Sequence, residues 1–255
     1  TYEFKDNKYY GTPFEVNEYI SKEGVKDYMT AISKHKPRDY QIEGVYDALR
    51  HNRRLLLSPT ASGKSLMIYS IVSYFVEQRK NTLIVVPTTS LVEQMYKDFS
   101  EYGWDVGSFC HKIYAGKERE TDSQVIITTW QSIYKLPRKY FERFSVVVGD
   151  EAHQFKSKSL ISIMTKLDDA KYRFGFTGTL DGTQTHKWVL EGLFGPSYKI
   201  IKTDELMKKG HLAKLDINVL LLKHPPQKFE VFEDEVQYII GHERRNNFIK
   251  NLALD

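Results

Sequence analysis

Five short apolar runs, each ending in a polar string rich in reactive side chains, constrain this chain more than any other feature. The runs are Leu55–Leu57, Leu83–Val86, Val125–Ile127, Val146–Val148 and Phe174–Phe176. The strings after them are Ser58-Pro59-Thr60-Ala61-Ser62-Gly63-Lys64-Ser65, Pro87-Thr88-Thr89, Thr128-Thr129-Trp130-Gln131, Asp150-Glu151-Ala152-His153 and Thr177-Gly178-Thr179. Short β-branched runs alternating with longer amphipathic stretches predict an α/β fold, a mostly parallel sheet with helices on both faces. In such sheets ligands bind beyond the carboxyl ends of the strands. All five strings should therefore line one edge.

The amphipathic stretches are predicted as helices over Lys64–Arg79, Ser90–Tyr102 and Lys158–Leu167, with a late strand over Lys214–Leu222. Residues 1–36 are aromatic and charged and lack the strand–string–helix rhythm, with a strand expected at Tyr2–Phe4 and a helix at Val16–Ser33. They read as a linker or the tail of a preceding accessory domain, and 37–223 as the α/β domain. Pro225-Pro226 then breaks regular structure, and Glu233–Leu254 reads as one charged helix within a 224–255 connector. Because residue 1 is Thr and the sequence stops just after that helix, the chain reads as a piece of a longer protein.

Composition decides less. Hydrophobic residues at 41% and charged residues at 27% suit a water-soluble globule, and no apolar run approaches membrane-spanning length. The single cysteine, Cys110, excludes an internal disulfide framework and fits a reducing, cytoplasmic compartment. A net charge of +4 permits nucleic-acid binding without demanding it.

The first string has the form of a phosphate-binding loop. Backbone N–H groups in such a turn surround phosphate oxygens, and the following helix aims its positive end at them. Lys64 would reach the β- and γ-phosphates, and the Ser65 hydroxyl would take one Mg²⁺ position. Two departures stand out: Ser58 occupies the usual first Gly, and Ala61 stands where Gly is common. If position 61 needs positive φ, Ala strains it by roughly 1 kcal/mol. Asp150 and Glu151 close a buried strand, where the first would hold Mg²⁺ and the second would orient the attacking water.

The ordered set resembles the first RecA-like motor domain of the superfamily 2 helicases over residues 37–223, and within them the phage branch-migration helicases. Asp150-Glu151-Ala152-His153 is similar to motif II and Thr177-Gly178-Thr179 to motif III, while Pro87-Thr88-Thr89 with Gln94 resembles motif Ia. That resemblance implies ATP and Mg²⁺ as cofactors, with Thr60, Ala61, Ser62, Gly63, Lys64 and Ser65 around the phosphates. It also implies catalysis by Lys64, Asp150 and Glu151. Arg38-Asp39-Tyr40-Gln41 resembles the upstream motif in which Gln41, beside Arg38, reads the adenine edge. Pro87, Thr88, Thr89, Thr129 and Gln131 would contact the backbone of a nucleic-acid strand, DNA sooner than RNA. His153, Thr177 and Thr179 would couple the two sites.

Thr165-Lys166-Leu167-Asp168 matches a guanine-reading tetrapeptide, but Leu160, Ile161, Met164 and Leu167 have helical spacing, so it reads as a helix end. The implied activity is ATP-driven unwinding, translocation or branch migration in recombination and repair. A restriction-system translocase and a nucleotide-gated clamp stay open beside it. No second sheet and no Gln-x-x-Gly-Arg-x-x-Arg run follows, so a second motor domain and its arginine finger are expected elsewhere, and this piece alone should hydrolyse ATP poorly.

Overall fold

The computed structural model describes residues 2–5, 8–11, 16–114, 120–178, 180, 182–213, 219–223 and 227–254, the first two segments by backbone alone. It divides into two compact units, Thr1–Ala213 and Lys214–Asp255. The first unit opens with an antiparallel hairpin, β1 (Tyr2–Lys5) and β2 (Lys8–Gly11), of which only the first strand was expected. Helices α1 (Lys22–Ile32) and α2 (Asp39–His51) follow.

Seven strands make the main sheet: β3 (Arg53–Leu57), β4 (Thr82–Val86), β5 (Cys110–Ile113), β6 (Val125–Thr129), β7 (Val146–Gly149), β8 (Tyr172–Thr177) and β9 (Ser197–Lys199). Their order is β5-β6-β4-β7-β8-β3-β9, and every pairing is parallel. The α/β expectation is met, and the five motif strands occupy the five central positions.

One face carries α1 and α2 with α3 (Lys64–Glu77), α4 (Thr89–Tyr102) and the single turn α5 (Val106–Phe109). The other carries short α6 (Trp130–Ile133) and α7 (Arg138–Phe141), then α8 (Lys158–Lys166) and α9 (Gln184–Phe194). A last short helix, α10 (Thr203–Lys208), sets Leu206 against Tyr40 and Ile201. The guanine-like tetrapeptide ends α8, as its apolar spacing requires.

Each strand of the sheet centre is covered on both sides, so β4 is buried at all five positions. Two glycines let α9 lie close against this sheet. Gly149 and Gly175 are register partners on β7 and β8. A Cβ on Gly149 would come within 2.7 Å of Phe155 and 2.8 Å of Phe194, and one on Gly175 within 2.9 Å of Phe194. Removing both side chains makes room for the Phe155–Phe194 edge-on pair directly beneath the Asp150 turn.

Several boundaries differ from expectation. The first long helix starts at Lys22 rather than Val16, because Ser21 takes an extended conformation and its hydroxyl accepts from the Gly24 N–H. Its Val25 and Met29 are buried in the same core as α2 and α3. Lys214 to Ile217 and Asn218 lie outside the described residues, while Val219–Leu222 carry no strand and are exposed. Pro225 and Pro226 are also outside them. The expected single helix over Glu233–Leu254 is two, α11 (Phe232–Gly241) and α12 (Glu243–Leu254), because His242 turns to an extended conformation with ψ of 90° after Gly241. Among the described residues no helix is long and apolar enough to cross a membrane.

Candidate nucleotide site at the carboxyl edge of the sheet

The loop between β3 and α3 is built for an anion. Ala61 has φ of +63° and Gly63 φ of +77°, so successive peptide N–H groups turn in the alternating manner that forms an anion-binding concavity. Position 61 does require positive φ, and Ala bears the strain that Gly would not. Gly63 is required for two reasons: its own φ, and a Cβ that would fall 2.3 Å from Gln41 Nε2. Ser58, the other departure, is wholly buried and its hydroxyl meets that of Ser62, which also donates to the Pro59 carbonyl at 2.6 Å. The serine fills the inside of the turn with a hydrogen bond that glycine cannot make.

The loop is held from both sides. The Ser58 N–H donates to the Thr177 carbonyl at 2.9 Å, fastening it to the end of β8. On the other side the Tyr40 hydroxyl and Gln41 Nε2 both donate to the Ser62 carbonyl, at 3.0 and 2.9 Å. Gln41 Oε1 accepts from the Arg38 N–H at 2.9 Å, and the Arg38 guanidinium donates to the Tyr40 hydroxyl at 2.7 Å. Gln41 is therefore a buried brace between the start of α2 and the loop. An adenine contact by Gln41 would have to use the remaining lone pair of Oε1 or displace these bonds. An open cavity of about 490 Å³ lies beside this brace, lined by Lys36, Pro37, Arg38, Tyr40, Lys209 and His211.

The loop and the acidic strand end meet. Lys64 Nζ donates to Glu151 Oε1 at 2.8 Å, with both side chains mostly covered. Asp150 is buried at the β7 terminus, its N–H donating to the Val85 carbonyl and its Oδ1 accepting from the Glu151 N–H. Burial raises the Asp150 carboxyl above the usual aspartate range, while the Lys64 charge and the Glu151 N–H oppose that shift. Glu151 itself adopts φ of +49° and ψ of 51°, a left-handed conformation costly for a residue with a side chain. That strain turns its carboxylate toward the loop.

His153 sits 3.4 Å from Glu151 Oε2, and its Nδ1 is 3.1 Å from Thr177 Oγ1. The acidic string, the P-loop and the end of β8 thus form one bonded set. Thr179 lies outside the described residues. Thr60 is exposed on the loop rim.

The strand-contact candidates lie on the same edge, one and two strands away. Pro87 is half-buried; Thr88 caps α4, accepting from the Leu91 N–H at 3.3 Å, and Thr88, Thr89 and Gln131 are exposed. Thr129 is buried, with its hydroxyl 2.9 Å from that of Ser132. Trp130 leans on Tyr134 against the core. Ser65, the expected metal ligand, has its hydroxyl 2.7 Å from the Tyr102 hydroxyl at the end of α4. Sequence reasoning gave no role to Tyr40 or Tyr102; only the adjacency of Tyr40 to Gln41 hinted at the first.

Residues 34–182 match the family described as type III restriction enzyme, res subunit. The chain belongs to this family. It is also 32% identical, over 229 residues, to the ATP-dependent DNA helicase UvsW of Enterobacteria phage T4, covering 86% of this chain and 46% of that protein. It is 31% identical to the DNA 3'-5' translocase XPB2 of Sulfurisphaera tokodaii, covering 72% of this chain and 39% of that one. The crystal structure of the UvsW helicase from bacteriophage T4 superimposes with a TM-score of 0.66 at 30% identity, over 72% of this chain and 70% of that chain. The chain spans less than half the length of the curated relatives it matches. The expected resemblance to a superfamily 2 motor domain, and its RecA-like fold, are borne out.

Proposed function

We propose that this chain is the nucleotide-binding half of a motor that uses ATP to unwind, translocate along or branch-migrate DNA. The observation that carries the reading is the Lys64–Glu151 contact, which joins a phosphate loop to the acidic end of a neighbouring motif strand. Without ligand, each side chain neutralises the other. A triphosphate in the loop offers Lys64 a more highly charged partner and frees Glu151 to orient and polarise a water in line with the γ-phosphate.

Asp150 and Ser65 supply hard oxygen donors of the kind Mg²⁺ prefers. Asp150 suits a cation because burial disfavours its charge, a cost that Lys64, a backbone N–H and His153 offset only in part. When bound, the metal neutralises charge on the β- and γ-phosphate oxygens. Arg38, Tyr40 and His211 line the adjoining cavity and would flank the base.

Pro87, Thr88, Thr89, Thr129 and Gln131 would meet the sugar–phosphate backbone of DNA, a sequence-independent and salt-sensitive contact. The bond between His153 and Thr177 then gives a path between the hydrolytic residues and the sheet edge. A second motor domain, facing this edge, would complete the charge around the transition state. This work would take place in the cytoplasm, that of a host cell if a phage encodes the protein.

The test is ATP turnover by the full-length protein on single-stranded, duplex, forked and four-way DNA and on RNA, with Glu151→Gln as the comparison. The expected result is turnover stimulated by DNA, and a loss of at least ~100-fold in the variant with nucleotide affinity retained. Undiminished turnover by Glu151→Gln moves the catalytic role to another residue. Turnover indifferent to nucleic acid rejects the motor.

A further inference from the structure

The Ser65 hydroxyl is held by a residue that none of the motifs contains. Tyr102 Oη lies 2.7 Å from it. Tyr102 is the last residue of α4, and its position is fixed by several independent contacts. Its ring packs at 5.3 Å from Tyr69 and edge-on at 5.5 Å from His35. Its carbonyl accepts from the Lys34 N–H at 3.0 Å. Gly103, at φ of +116°, closes the helix behind it by donating to the Phe99 and Ser100 carbonyls.

Either hydroxyl can donate across this contact. In both directions the bond fixes the rotation of the Ser65 hydroxyl, and so the direction in which its free lone-pair density points.

We infer that Tyr102 is a positioning residue which, through the Ser65 hydroxyl, sets how readily the nucleotide site takes up its divalent cation. This rests on the reading of the loop as a triphosphate site with Ser65 on the metal. It assigns the end of α4 a part in metal affinity separate from the phosphate contacts of Lys64.

Binding of a fluorescent ATP analogue to the full chain, with Mg²⁺ titrated from excess EDTA upward, tests it. Tyr102→Phe keeps the ring and its packing and removes the hydroxyl that holds Ser65. The Mg²⁺ midpoint should rise about three- to tenfold, the worth of one hydrogen bond, while affinity in EDTA stays at the wild-type value. Ser65→Ala should raise the midpoint at least as far. A wild-type midpoint in Tyr102→Phe beside a raised one in Ser65→Ala overturns the inference alone. Equal losses with and without Mg²⁺ in Tyr102→Phe also overturn it, since they mark a purely structural role. A wild-type midpoint in Ser65→Ala instead sinks the underlying assignment of the metal.

Discussion

The two edges of the main sheet are made by the same strands and are built in opposite ways. At the amino edge, Arg53 and Arg173 are register partners on β3 and β8. Arg53 donates to the Lys171 and Ala170 carbonyls. Arg173 donates to those of Ala170 and Leu167, and is buried. These carbonyls belong to the turn after α8, so the arginines act as permanent caps on local backbone. Burial, and then the nearby Arg53, push the Arg173 guanidinium down to about 10, still charged at neutral pH. Positive φ at this edge occurs at Asn52 and Arg79, where it simply closes α2 and α3.

At the carboxyl edge the charged partners are other side chains, Lys64 with Glu151 and Glu151 with His153. Positive φ in residues other than glycine falls there at Ala61 and Glu151, inside loops with no helix to end. A ligand takes over a bond between two charged side chains more readily than one in which a buried arginine caps the carbonyls of a turn. One edge is built to hold and the other to be rearranged.

Substitution at the holding edge should show the largest effect on stability. Arg173→Met keeps the stem but removes the guanidinium bonds to the Leu167 and Ala170 carbonyls, leaving them only the Ala170 N–H and Arg53, and should cost about 2–3 kcal/mol, read as a lower urea midpoint. Nucleotide affinity should not change. A variant as stable as wild type would mean that these caps are replaceable and the contrast is false.

Asp150→Asn should act in the reverse sense on the two properties. The folded pKa of Asp150 lies above that of the unfolded chain, so its charge costs stability at any pH above the folded value. That cost disappears as pH falls through the raised pKa. The variant should therefore be more stable at neutral pH, and a gain of ~1 kcal/mol raises Tm by about 2–4 °C for a domain of this size. Its advantage should shrink on acidification, and its Mg²⁺-dependent nucleotide binding should be weak throughout. An Asn variant that is less stable at neutral pH would show that the site is not held at the expense of folding.

The smallest effect is expected at Ala61. Ala61→Gly removes the positive-φ strain and should add up to ~1 kcal/mol, less the entropy that glycine loses on folding, in a thermal melt. A melting temperature lowered by more than a few degrees would mean that the methyl group makes a contact outweighing its strain.

Much of this was legible in the sequence because the central strands are apolar throughout and the reactive strings follow them at fixed positions. The edge strands were not legible. Cys110-His111-Lys112-Ile113 and Ser197-Tyr198-Lys199 are short and carry polar residues in their middles or at their ends, so periodicity gives them no signal. Helix α1 was read too long because no periodic count sees the Ser21 cap.

The candidate site divides in the same way. Residues that act through a backbone turn or a strand end, such as Gly63, Lys64, Asp150 and Glu151, declare themselves by spacing. The occupation of Gln41 by Ser62 and Arg38, and of Ser65 by Tyr102, depends on helices meeting across the sheet face, and no local pattern records it.

Calorimetric titration of the wild-type chain and Lys64→Ala with Mg²⁺ and a non-hydrolysable ATP analogue tests the account at its centre. The variant should bind roughly 10–100-fold more weakly, the loss of charge-assisted hydrogen bonds to phosphate, while its melting temperature stays close to that of the wild type. Equal affinities in the two proteins would contradict the claim that the Lys64–Glu151 contact marks a triphosphate site.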